Sequence, residues 1–548
     1  MFKNLLKLFV QQDQQLRDLH VIHVTGSKGK GSVCSMIENV LQKSGFRTGF
    51  LSSPHLINVE ERIRINGRPI SRDHFASLFW DVHGTLLEFT KTSINIPMPS
   101  FLHYIFVMAC KTFVDEKVDV GIFEVGIGGR YDHTNIFKDP YVTVVTSLAL
   151  EHTNILGNTI AEIAWAKAGI FKTGSIALVS HGQSDEAMHK FVEEAELVKC
   201  PLYVAPTLDS LLTTENMTEP FKDIFDNMNT IPNSQLLNLA LSLTTINYWF
   251  AKLHGTTNND NVINIGLQPT SEWKPSSTVL FNALSARWPG RWQIVIRKNI
   301  TYYLDGAHTV ESLQSAIKWF QNESFASNNN RRPIRIIIFT VIGPRDPEPF
   351  LKCLQSSSFA FDLVVFANPH DGQFEILPSK ESHDELCFNI WRQLESESNT
   401  GSNSTSHSIA SKHVKSFSAF IKWMQNLQRF SLQALKYFPC EYSNYDEADN
   451  TTCCDVFVTG SLYMVGRILK ARHTLKHYFL PRIPFQKSKT TYVFYKYAAA
   501  THPNLPDEES KQSDRASSGI LIKDNGMKCS FHSPSKWKRV RYWTQTER

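Results

Sequence analysis

The sequence predicts an α/β protein with two parallel-sheet domains followed by a basic C-terminal tail. Three observations predict this fold class. A glycine-rich loop at residues 26–32 joins a short apolar segment to an amphipathic one, further apolar segments alternate with helical patterns after it, and the alternation starts again near Tyr302. Strands that alternate with helices form parallel sheets covered on both faces, and a chain of 548 residues is too long for one ordinary domain.

The first predicted unit consists of a strand, the glycine-rich loop, a helix and a second strand. Residues 20–25 are apolar and β-branched and stop at a glycine, which is typical of a short buried strand. Residues 47–52 form the next strand, and Gly45 ends the helix between them. The buried face of that helix is predicted from its apolar spacing, at Val33, Met36, Ile37, Val40 and Leu41. The loop therefore lies at a helix N-terminus and at the carboxyl end of a strand.

The remaining strand predictions divide the chain into domains. They cover residues 118–125, 142–148, 175–180, 300–304, 334–339, 361–367 and 455–459. We expect a P-loop-containing parallel-sheet domain at residues 1–286, a smaller Rossmann-like α/β domain at 287–470 and a mobile tail at 471–548. Polar runs at 328–332 and 395–413 are typical of surface insertions in the second domain.

Charge and cysteine usage bear on partners and compartment. The net charge of +5 comes from the tail, where residues 471–548 hold 15 Lys and Arg against 6 Asp and Glu, whereas the rest of the chain holds 42 against 46. Because the tail is also rich in Ser and Pro, we expect a mobile appendage rather than a nucleic-acid module, and no nucleic-acid partner. The nine cysteines lack metal-ligand or redox-motif spacing, which favours a reducing compartment.

The sequence indicates a protein without a membrane anchor. No apolar run is long enough to cross a bilayer, and residues 1–17 lack a secretory signal, so we expect a cytoplasmic location. A mitochondrial presequence stays open as an alternative to an ordinary first helix. Its basis is a set of apolar residues that share one helical face opposite Lys3 and Lys7, namely Phe2, Leu5, Leu6 and Phe9.

The loop has the composition of a phosphate-binding turn. Its residues are Gly26, Ser27, Lys28, Gly29, Lys30, Gly31 and Ser32. Backbone amides in such a turn converge on an anion, the following helix adds its positive end, and Lys30 supplies a mobile charge to the outer phosphates of a nucleotide. The loop departs from the GxxxxGK[ST] pattern, because Val24 occupies the first glycine position and Gly31 the position of the metal-binding hydroxyl.

A metal ion beside this loop needs ligands from elsewhere, since Gly31 offers no side-chain oxygen. Glu124 is the first candidate, because it ends an apolar strand and precedes a glycine-rich turn, where a carboxylate is rarely tolerated as packing. Ser53, which ends the next strand beside the loop, and His152, which follows the strand at 142–148, are the other candidates. Taken alone, Ser53 is equally a turn residue and His152 a surface histidine.

The helix predicted to begin near Thr159 contains one inconsistency. Thr159 and Glu162 form a capping box at its start, and Ile160 lies on its buried face. Lys167 falls on the same face, seven residues after Ile160. A buried lysine loses its charge or finds a partner, whereas a snorkelling lysine extends its ammonium group to solvent, and the sequence alone favours the second alternative.

In the second domain, a charged motif follows the first predicted strand. Asp305 and His308 stand three residues apart directly after residues 300–304, and Arg291 follows the turn Trp288-Pro-Gly290. Residues at the carboxyl end of a parallel strand are placed to reach a ligand held between domains. The pattern by itself does not identify that ligand.

Together these residues lie in motifs that resemble those of the folylpolyglutamate synthases, members of the Mur ligase superfamily. The matching segments run in the family's order at residues 24–32, 52–56, 61–67, 124–135, 151–157, 163–172, 288–293, 304–309 and 458–462. The resemblance implies a reaction in which the γ-carboxylate of tetrahydrofolate or its polyglutamates attacks the γ-phosphate of ATP. L-Glutamate then captures the resulting acyl phosphate.

The resemblance also assigns residues and cofactors. It implies a monomer that uses ATP and Mg²⁺, with K⁺ as a further candidate cation. The implied metal ligands are Ser53, Glu124 and His152, and the implied nucleotide contacts outside the loop are Arg291, Asp305 and His308. The lysine that matches Lys167 is carbamylated in relatives and binds a second Mg²⁺, so we expect the same modification here. The implied catalytic residues are Lys30, Lys167 and His152.

Alternatives and departures from the family pattern remain. The protein is alternatively a dihydrofolate synthase or another amino-acid ligase of the superfamily, or a catalytically silent folate- or nucleotide-binding homologue. Ser27 replaces a threonine, Glu60 an arginine and Glu151 an aspartate. Only 19 residues precede His20, where the family has further helical sequence, so we expect folate affinity to be affected more than phosphate binding.

Overall fold

The computed structural model describes most of the chain up to residue 473. The described ranges are 6–10, 13–92, 97–212, 231–255, 274–297, 300–326, 333–342, 345–357, 361–368, 382–399, 410–414 and 454–473. Three sequence predictions lie outside them: the insertion at 328–332, the tail beyond residue 473, and the helical face that includes Phe2 and Leu5.

The first sheet is built from eight strands. They are β1 (Ile22–Thr25), β2 (Thr48–Leu51), β3 (Ile63–Ile65), β4 (Arg68–Pro69), β5 (Val120–Glu124), β6 (Val142–Val145), β7 (Ile176–Val179) and β8 (Leu202–Val204). Their order in the sheet is β4-β3-β2-β5-β1-β6-β7-β8. The six strands from β2 to β8 in this order pair in parallel, and β3 and β4 extend one edge as an antiparallel hairpin.

The second sheet is built from six strands. They are β9 (Gln293–Arg297), β10 (Ile300–Leu304), β11 (Ile334–Phe339), β12 (Leu363–Ala367), β13 (Ala410–Val414) and β14 (Cys454–Thr459). Their order is β13-β12-β11-β14-β10-β9, and only β9 is antiparallel to its neighbour. The central strands are buried along their whole length, which explains why their sequences are mostly apolar rather than alternating.

Helices connect and cover both sheets. They are α1 (Asp13–Arg17), α2 (Lys30–Lys43), α3 (Arg72–Thr92), α4 (Phe101–Asp115), α5 (Thr153–Leu156), α6 (Ile160–Ala168), α7 (Asp185–Leu197), α8 (Leu208–Leu211), α9 (Asn233–Leu253), α10 (Ser277–Ser285), α11 (Val310–Ala326), α12 (Glu348–Ser356), α13 (His383–Asn399) and α14 (Leu462–His473), with a 3₁₀ turn at Val59–Arg62. Among the described helices, none is both long and apolar enough to cross a membrane.

The strand predictions are confirmed, with ends that differ by at most three residues. Five strands were not predicted, namely β3, β4, β8, β9 and β13, because they are short or carry polar residues, and an apolar pattern is the signal that predicts a strand. The prediction of an insertion at 395–413 is too wide. Residues 395–399 complete α13, and residues 410–413 pair with β12 as part of the edge strand β13. The domain limits at residues 286 and 470 stay predictions.

The carboxyl edge of the first sheet places three predicted site segments next to one another. Strand β5 lies between β1 and β2, and Glu124 is opposite Val24 in the register. The sequence made no prediction of strand order, and the structure shows that β5 separates β1 from β2, the strand that precedes Ser53. Ser53 is nevertheless adjacent to Glu124, at the end of the strand that follows in the sheet.

Two glycine substitutions should change stability in opposite directions. A Cβ atom at Gly49 would lie 2.7 Å from two ring carbons of the buried Phe113, so Gly49→Ala should lower the free energy of unfolding. Overpacking of this kind costs about 1–3 kcal/mol. Gly84 lies inside α3, and a Cβ atom there would have no neighbouring atom within 4 Å, so Gly84→Ala should raise stability by up to about 1 kcal/mol. Urea denaturation of both variants checks the prediction, which equal shifts would contradict.

Candidate active site

The loop at residues 26–32, called here the phosphate loop, adopts backbone conformations that only glycine accepts easily. Gly26 has φ of 144° and Gly29 has φ of 93°. A side chain at Gly26 would collide with the hydroxyl of Thr146, and one at Gly29 with the amide of Asn238. The amides of Ser27 and Lys28 donate to the carbonyl of residue 147 at 3.0 and 3.1 Å, so the amides left for an anion are those of the first turn of α2.

Two lysine ammonium groups converge on one carbonyl oxygen of this loop. Lys30 Nζ donates to the carbonyl of Gly26 at 2.9 Å, and Lys167 Nζ donates to the same oxygen at 2.8 Å. Lys30 also lies 3.3 Å from the carbonyl of Ser27. Both cations therefore stand at the mouth of the loop, where the outer phosphates of a nucleotide would bring negative charge.

Lys167 is buried, and the snorkelling alternative favoured by the sequence is wrong. Its residue exposure is 1%, and the carboxylate of Glu151 lies 4.0 Å from its Nζ. Burial and, to a smaller extent, the charge of Lys30 lower the pKa of Lys167 to about 7, although Glu151 acts in the opposite direction. A substantial fraction of this amine is consequently neutral, and therefore nucleophilic, near neutral pH.

A glycine-rich turn after β5 holds the helix that carries Lys167. A Cβ atom at Gly129 would lie 2.8 Å from the carbonyl of Lys167, and the amide of Arg130 donates to the carbonyl of Ala166 at 2.7 Å. Asp132 fixes the turn, because its carboxylate accepts the amides of residues 126 and 127 at 3.2 Å. The predicted capping box is also present, with Glu162 bonded to the amide of Thr159.

Glu124 is a buried carboxyl group among cations. Burial raises its pKa to about 7, whereas Lys30, the amide of Ser53, Arg291 and Arg62 act in the opposite direction. The amide of Ser53 donates to its carboxylate at 3.1 Å. A metal ion bound beside this partly protonated carboxyl group would lower its pKa, because the ion stabilises the ionised form.

Two of the three predicted metal ligands are in direct contact. The contact joins the backbone amide of Ser53 to the carboxylate of Glu124. A serine hydroxyl and a carboxylate are ligand types that suit a hard divalent cation. His152 lies at the N-terminus of α5, where partial desolvation lowers its pKa, Glu151 opposes this, and the charges of Lys30 and Lys167 lower it further. Within the described residues, no three His, Cys, Asp or Glu side chains form a preformed cation site. The chemical types of these donors are compatible with a hard divalent cation, and metal binding by Ser53, Glu124 and His152 stays a prediction.

The second sheet presents its own charged residues at its carboxyl edge. Asp305 is buried and accepts the amide of Trp292 at 3.0 Å, and burial raises its pKa while Arg291 opposes this. His308 Nδ1 lies 3.0 Å from the carbonyl of Gly306, and burial lowers its pKa to about 4. The imidazole is consequently neutral near pH 7, donates through Nδ1 and keeps Nε2 as an acceptor.

The two groups of residues face each other. Besides the effect of burial, the charge of Arg291 acts to lower the pKa of Glu124 in the first sheet and of His308 in the second. The charge of Lys30 also acts to lower the pKa of His308. Lys28 of the phosphate loop forms an ion pair of 3.2 Å with Glu311, in the first turn of α11. The predicted site residues from both halves of the chain thus line one region.

Three further residues at this site were given no role by the sequence analysis, although Arg62 lies in the matching segment 61–67. Asn238 is buried in α9 and packs against Gly29, and a buried polar residue inside an apolar helical pattern was the available signal. Arg62 is also buried, donates to His55 at 2.9 Å and faces Glu124. Arg345 follows β11, and its charge makes a smaller contribution than burial to the lowered pKa values of both His152 and His308.

Comparison with known proteins identifies the family. Residues 24–207 match the model of the Mur ligase middle domain. A folylpolyglutamate synthase homologue of Dictyostelium discoideum is 30% identical over 492 residues, which span 82% of this chain and 77% of that protein. The chain belongs to the folylpolyglutamate synthase family. The mitochondrial folylpolyglutamate synthase of Homo sapiens is 38% identical over 367 residues, which span 65% of this chain but only 60% of the human protein.

Solved structures of folylpolyglutamate synthases share the fold. The Mycobacterium tuberculosis enzyme complexed with ADP and AMPPCP matches with a TM-score of 0.61 at 20% identity, covering 88% of this chain and 96% of that one. A bifunctional folylpolyglutamate synthase/dihydrofolate synthase with Mn, AMPPNP and L-glutamate bound matches with a TM-score of 0.57 at 21% identity, covering 86% and 94%. These matches confirm the predicted α/β fold.

The raised pKa of Glu124 predicts a pH-dependent stability in metal-free protein. Between the ordinary value of 4.5 and about 7, the folded state holds a proton that the unfolded state releases, so stability falls as pH rises through this range. A shift of this size corresponds to about 3 kcal/mol. Glu124→Gln, which imitates the protonated form, should lose this dependence. Chelator-treated wild type and variant are compared by urea denaturation between pH 4.5 and 8, and parallel curves would contradict the assignment.

Proposed function

We propose that this protein adds L-glutamate to the γ-carboxylate of tetrahydrofolate and its polyglutamates, with ATP consumed through an acyl-phosphate intermediate. Family membership supports the proposal, as do the nucleotide analogues and L-glutamate bound in the structures of similar fold. The observation that carries it is the convergence of Lys30 and Lys167 on the phosphate loop beside the buried Glu124. A carboxylate is a poor acylating agent, and phosphorylation converts one of its oxygens into a leaving group.

In this proposal the loop binds the nucleotide and its lysine acts on the γ-phosphate. The amides of residues 29–32 and the positive end of α2 hold the phosphates, and Lys30 neutralises the charge that develops as the carboxylate attacks. From the second sheet, Arg291, Asp305 and His308 contact the nucleotide. Arg345 adds a cation on the same side, which suits the carboxylates of the incoming L-glutamate.

The metal is proposed to be Mg²⁺, held by Ser53 and Glu124, with His152 as the third protein ligand. When bound, it supplies Lewis-acid stabilisation of the phosphate oxygens. Oxygen ligands suit both Mg²⁺ and Mn²⁺, and manganese is present in one of the structures of similar fold. K⁺ stays a further candidate cation.

Lys167 is proposed to be carbamylated. Its neutral Nζ attacks the carbon of CO₂, a C–N bond forms, and one proton leaves to solvent, which converts a buried amine into an anion. This anion balances the charge of Lys30 and can bind a second divalent ion. The nearby Glu151 favours the protonated amine, so the two neighbouring charges act on Lys167 in opposite directions.

The proposal extends to the oligomeric state, the location and the competing activity. The protein is proposed to act as a monomer in the cytoplasm, with mitochondria as a second location, as in the name of the human relative. Dihydrofolate synthesis is the competing activity, since one of the structures of similar fold is bifunctional. The proposed test separates the two activities.

Removal of the Lys30 ammonium group should abolish ligation. Purified protein is assayed for ADP release with tetrahydrofolate, L-glutamate and Mg-ATP, and Lys30→Ala should lower kcat/KM by about 10³-fold or more, since charge stabilisation of this kind is worth several kcal/mol. Lys43→Ala, at the exposed far end of the same helix, is the matched control and should retain wild-type activity.

Three outcomes of this assay would contradict the proposal. ADP release driven by dihydropteroate but not by tetrahydrofolate would indicate dihydrofolate synthesis. Release without either acceptor would indicate a plain ATPase. Binding of nucleotide and folate with no product at any Mg-ATP concentration would indicate a catalytically silent homologue.

Carbamylation of Lys167 predicts a spectroscopic signal. Protein equilibrated with ¹³C-bicarbonate should show a carbamate resonance by ¹³C NMR that Lys167→Ala lacks and that Lys172→Ala, a control lysine just beyond the helix, retains. Because the neutral amine reacts, the signal should grow as pH rises through about 7. Full activity in Lys167→Ala, or in bicarbonate-free buffer, would contradict a catalytic role.

A further inference from the structure

Trp288 occupies the space in front of the phosphate loop that a larger residue at position 31 would need. A Cβ atom at Gly31 would lie 2.7 Å from Nε1 of the indole and 3.1 Å from its Cε2. We propose that Trp288 is a positioning residue whose indole sets the spacing between the phosphate loop and Arg291. This inference rests on the proposed function, in which both segments bind ATP.

The indole is held by the first sheet and its helix. The ring of Phe50 in β2 lies 5.3 Å from the indole, centroid to centroid, and the guanidinium carbon of Arg64 in β3 lies 5.5 Å from it. Arg64 is itself fixed, because its guanidinium lies 2.9 Å from the carboxylate of Glu38, a buried residue of α2. The indole is therefore anchored to the helix that begins with Lys30.

The backbone of Trp288 is tied to the second sheet. Its carbonyl accepts the amide of Arg291 at 3.2 Å, which closes a turn whose Gly290 has φ of 73°. The carbonyl of Gly290 accepts the amide of Gly306 at 2.9 Å, directly after β10. A displacement of the indole would consequently move Arg291, because the turn leaves little freedom between them.

This arrangement also explains why the loop departs from the usual pattern at position 31. A serine or threonine there would collide with the indole, so the hydroxyl that commonly binds the metal has no room. The metal site then depends on Ser53 and Glu124. One packing contact between Gly31 and Trp288 thus accounts for both the missing hydroxyl and the placement of Arg291.

A double-mutant cycle tests whether the contact positions the nucleotide site. Binding of AMPPNP with Mg²⁺ is measured by calorimetry for wild type, Gly31→Ala, Trp288→Ala and the double variant. Each single change should weaken binding at least about tenfold, and the double variant should bind at least about tenfold better than the product of the single effects predicts, because the smaller residue makes room for the added methyl. The same cycle between Gly31→Ala and Trp80→Ala, a largely exposed tryptophan, should be multiplicative.

Kinetics separate positioning from general destabilisation. Trp288→Ala should raise the KM for ATP while the KM for L-glutamate stays unchanged, and Trp288→Phe, which keeps an aromatic ring, should restore most of the ATP affinity. Melting temperatures identify any variant that fails to fold, and Trp288→Phe then carries the test. Multiplicative effects in the Gly31 and Trp288 cycle, or equal rises in both KM values, would overturn the inference. Failure of the wild type to bind AMPPNP would instead overturn the proposed function.

Discussion

The carbonyl oxygen of Gly26 accepts hydrogen bonds from the ammonium groups of Lys30 and Lys167, and the rest of the site depends on this shared acceptor. Two cations at hydrogen-bond distance from one oxygen repel each other, and Lys167 is also removed from solvent. The combination is tolerated because burial lowers the pKa of Lys167 and Glu151 lies near it. The buried helix α6 and the glycine-rich turn that packs against it hold Lys167 in this position.

The conformation of the phosphate loop is determined by neighbours that are distant in sequence. Each of its three glycines faces a different segment, with Thr146 at Gly26, Asn238 at Gly29 and Trp288 at Gly31. A larger residue at any of these positions would collide with a neighbour that is itself packed. Glycine is therefore needed because these neighbours approach the loop closely, as well as for backbone freedom. The loop is consequently part of the packing between its own sheet, helix α9 and the turn that leads to the second sheet.

How far the sequence predicts the structure depends on the range of the interactions involved. Strand and helix positions follow from local apolar patterns, and the capping box at Thr159 is confirmed because it involves only neighbouring residues. Strand order is not local, so the insertion of β5 between β1 and β2 was missed. The burial of Lys167 was also decided by distant partners, since a helical pattern cannot show that a carbonyl 141 residues away accepts its hydrogen bond. The polar strand β13 lacked the apolar signal altogether.

The charge balance of the site favours a nucleotide that arrives together with a metal ion. Its cations include Lys30 and Arg291, whereas burial raises the pKa of the facing carboxyl groups of Glu124 and Asp305 and so reduces their negative charge. Such a region attracts a polyanion, because several cations have few ionised partners. A metal ion alone would be repelled by these cations, and Glu124 would be partly protonated. Phosphates offset the charge of the cations, and a metal ion stabilises the ionised carboxylate. The binding of each ligand therefore favours the binding of the other.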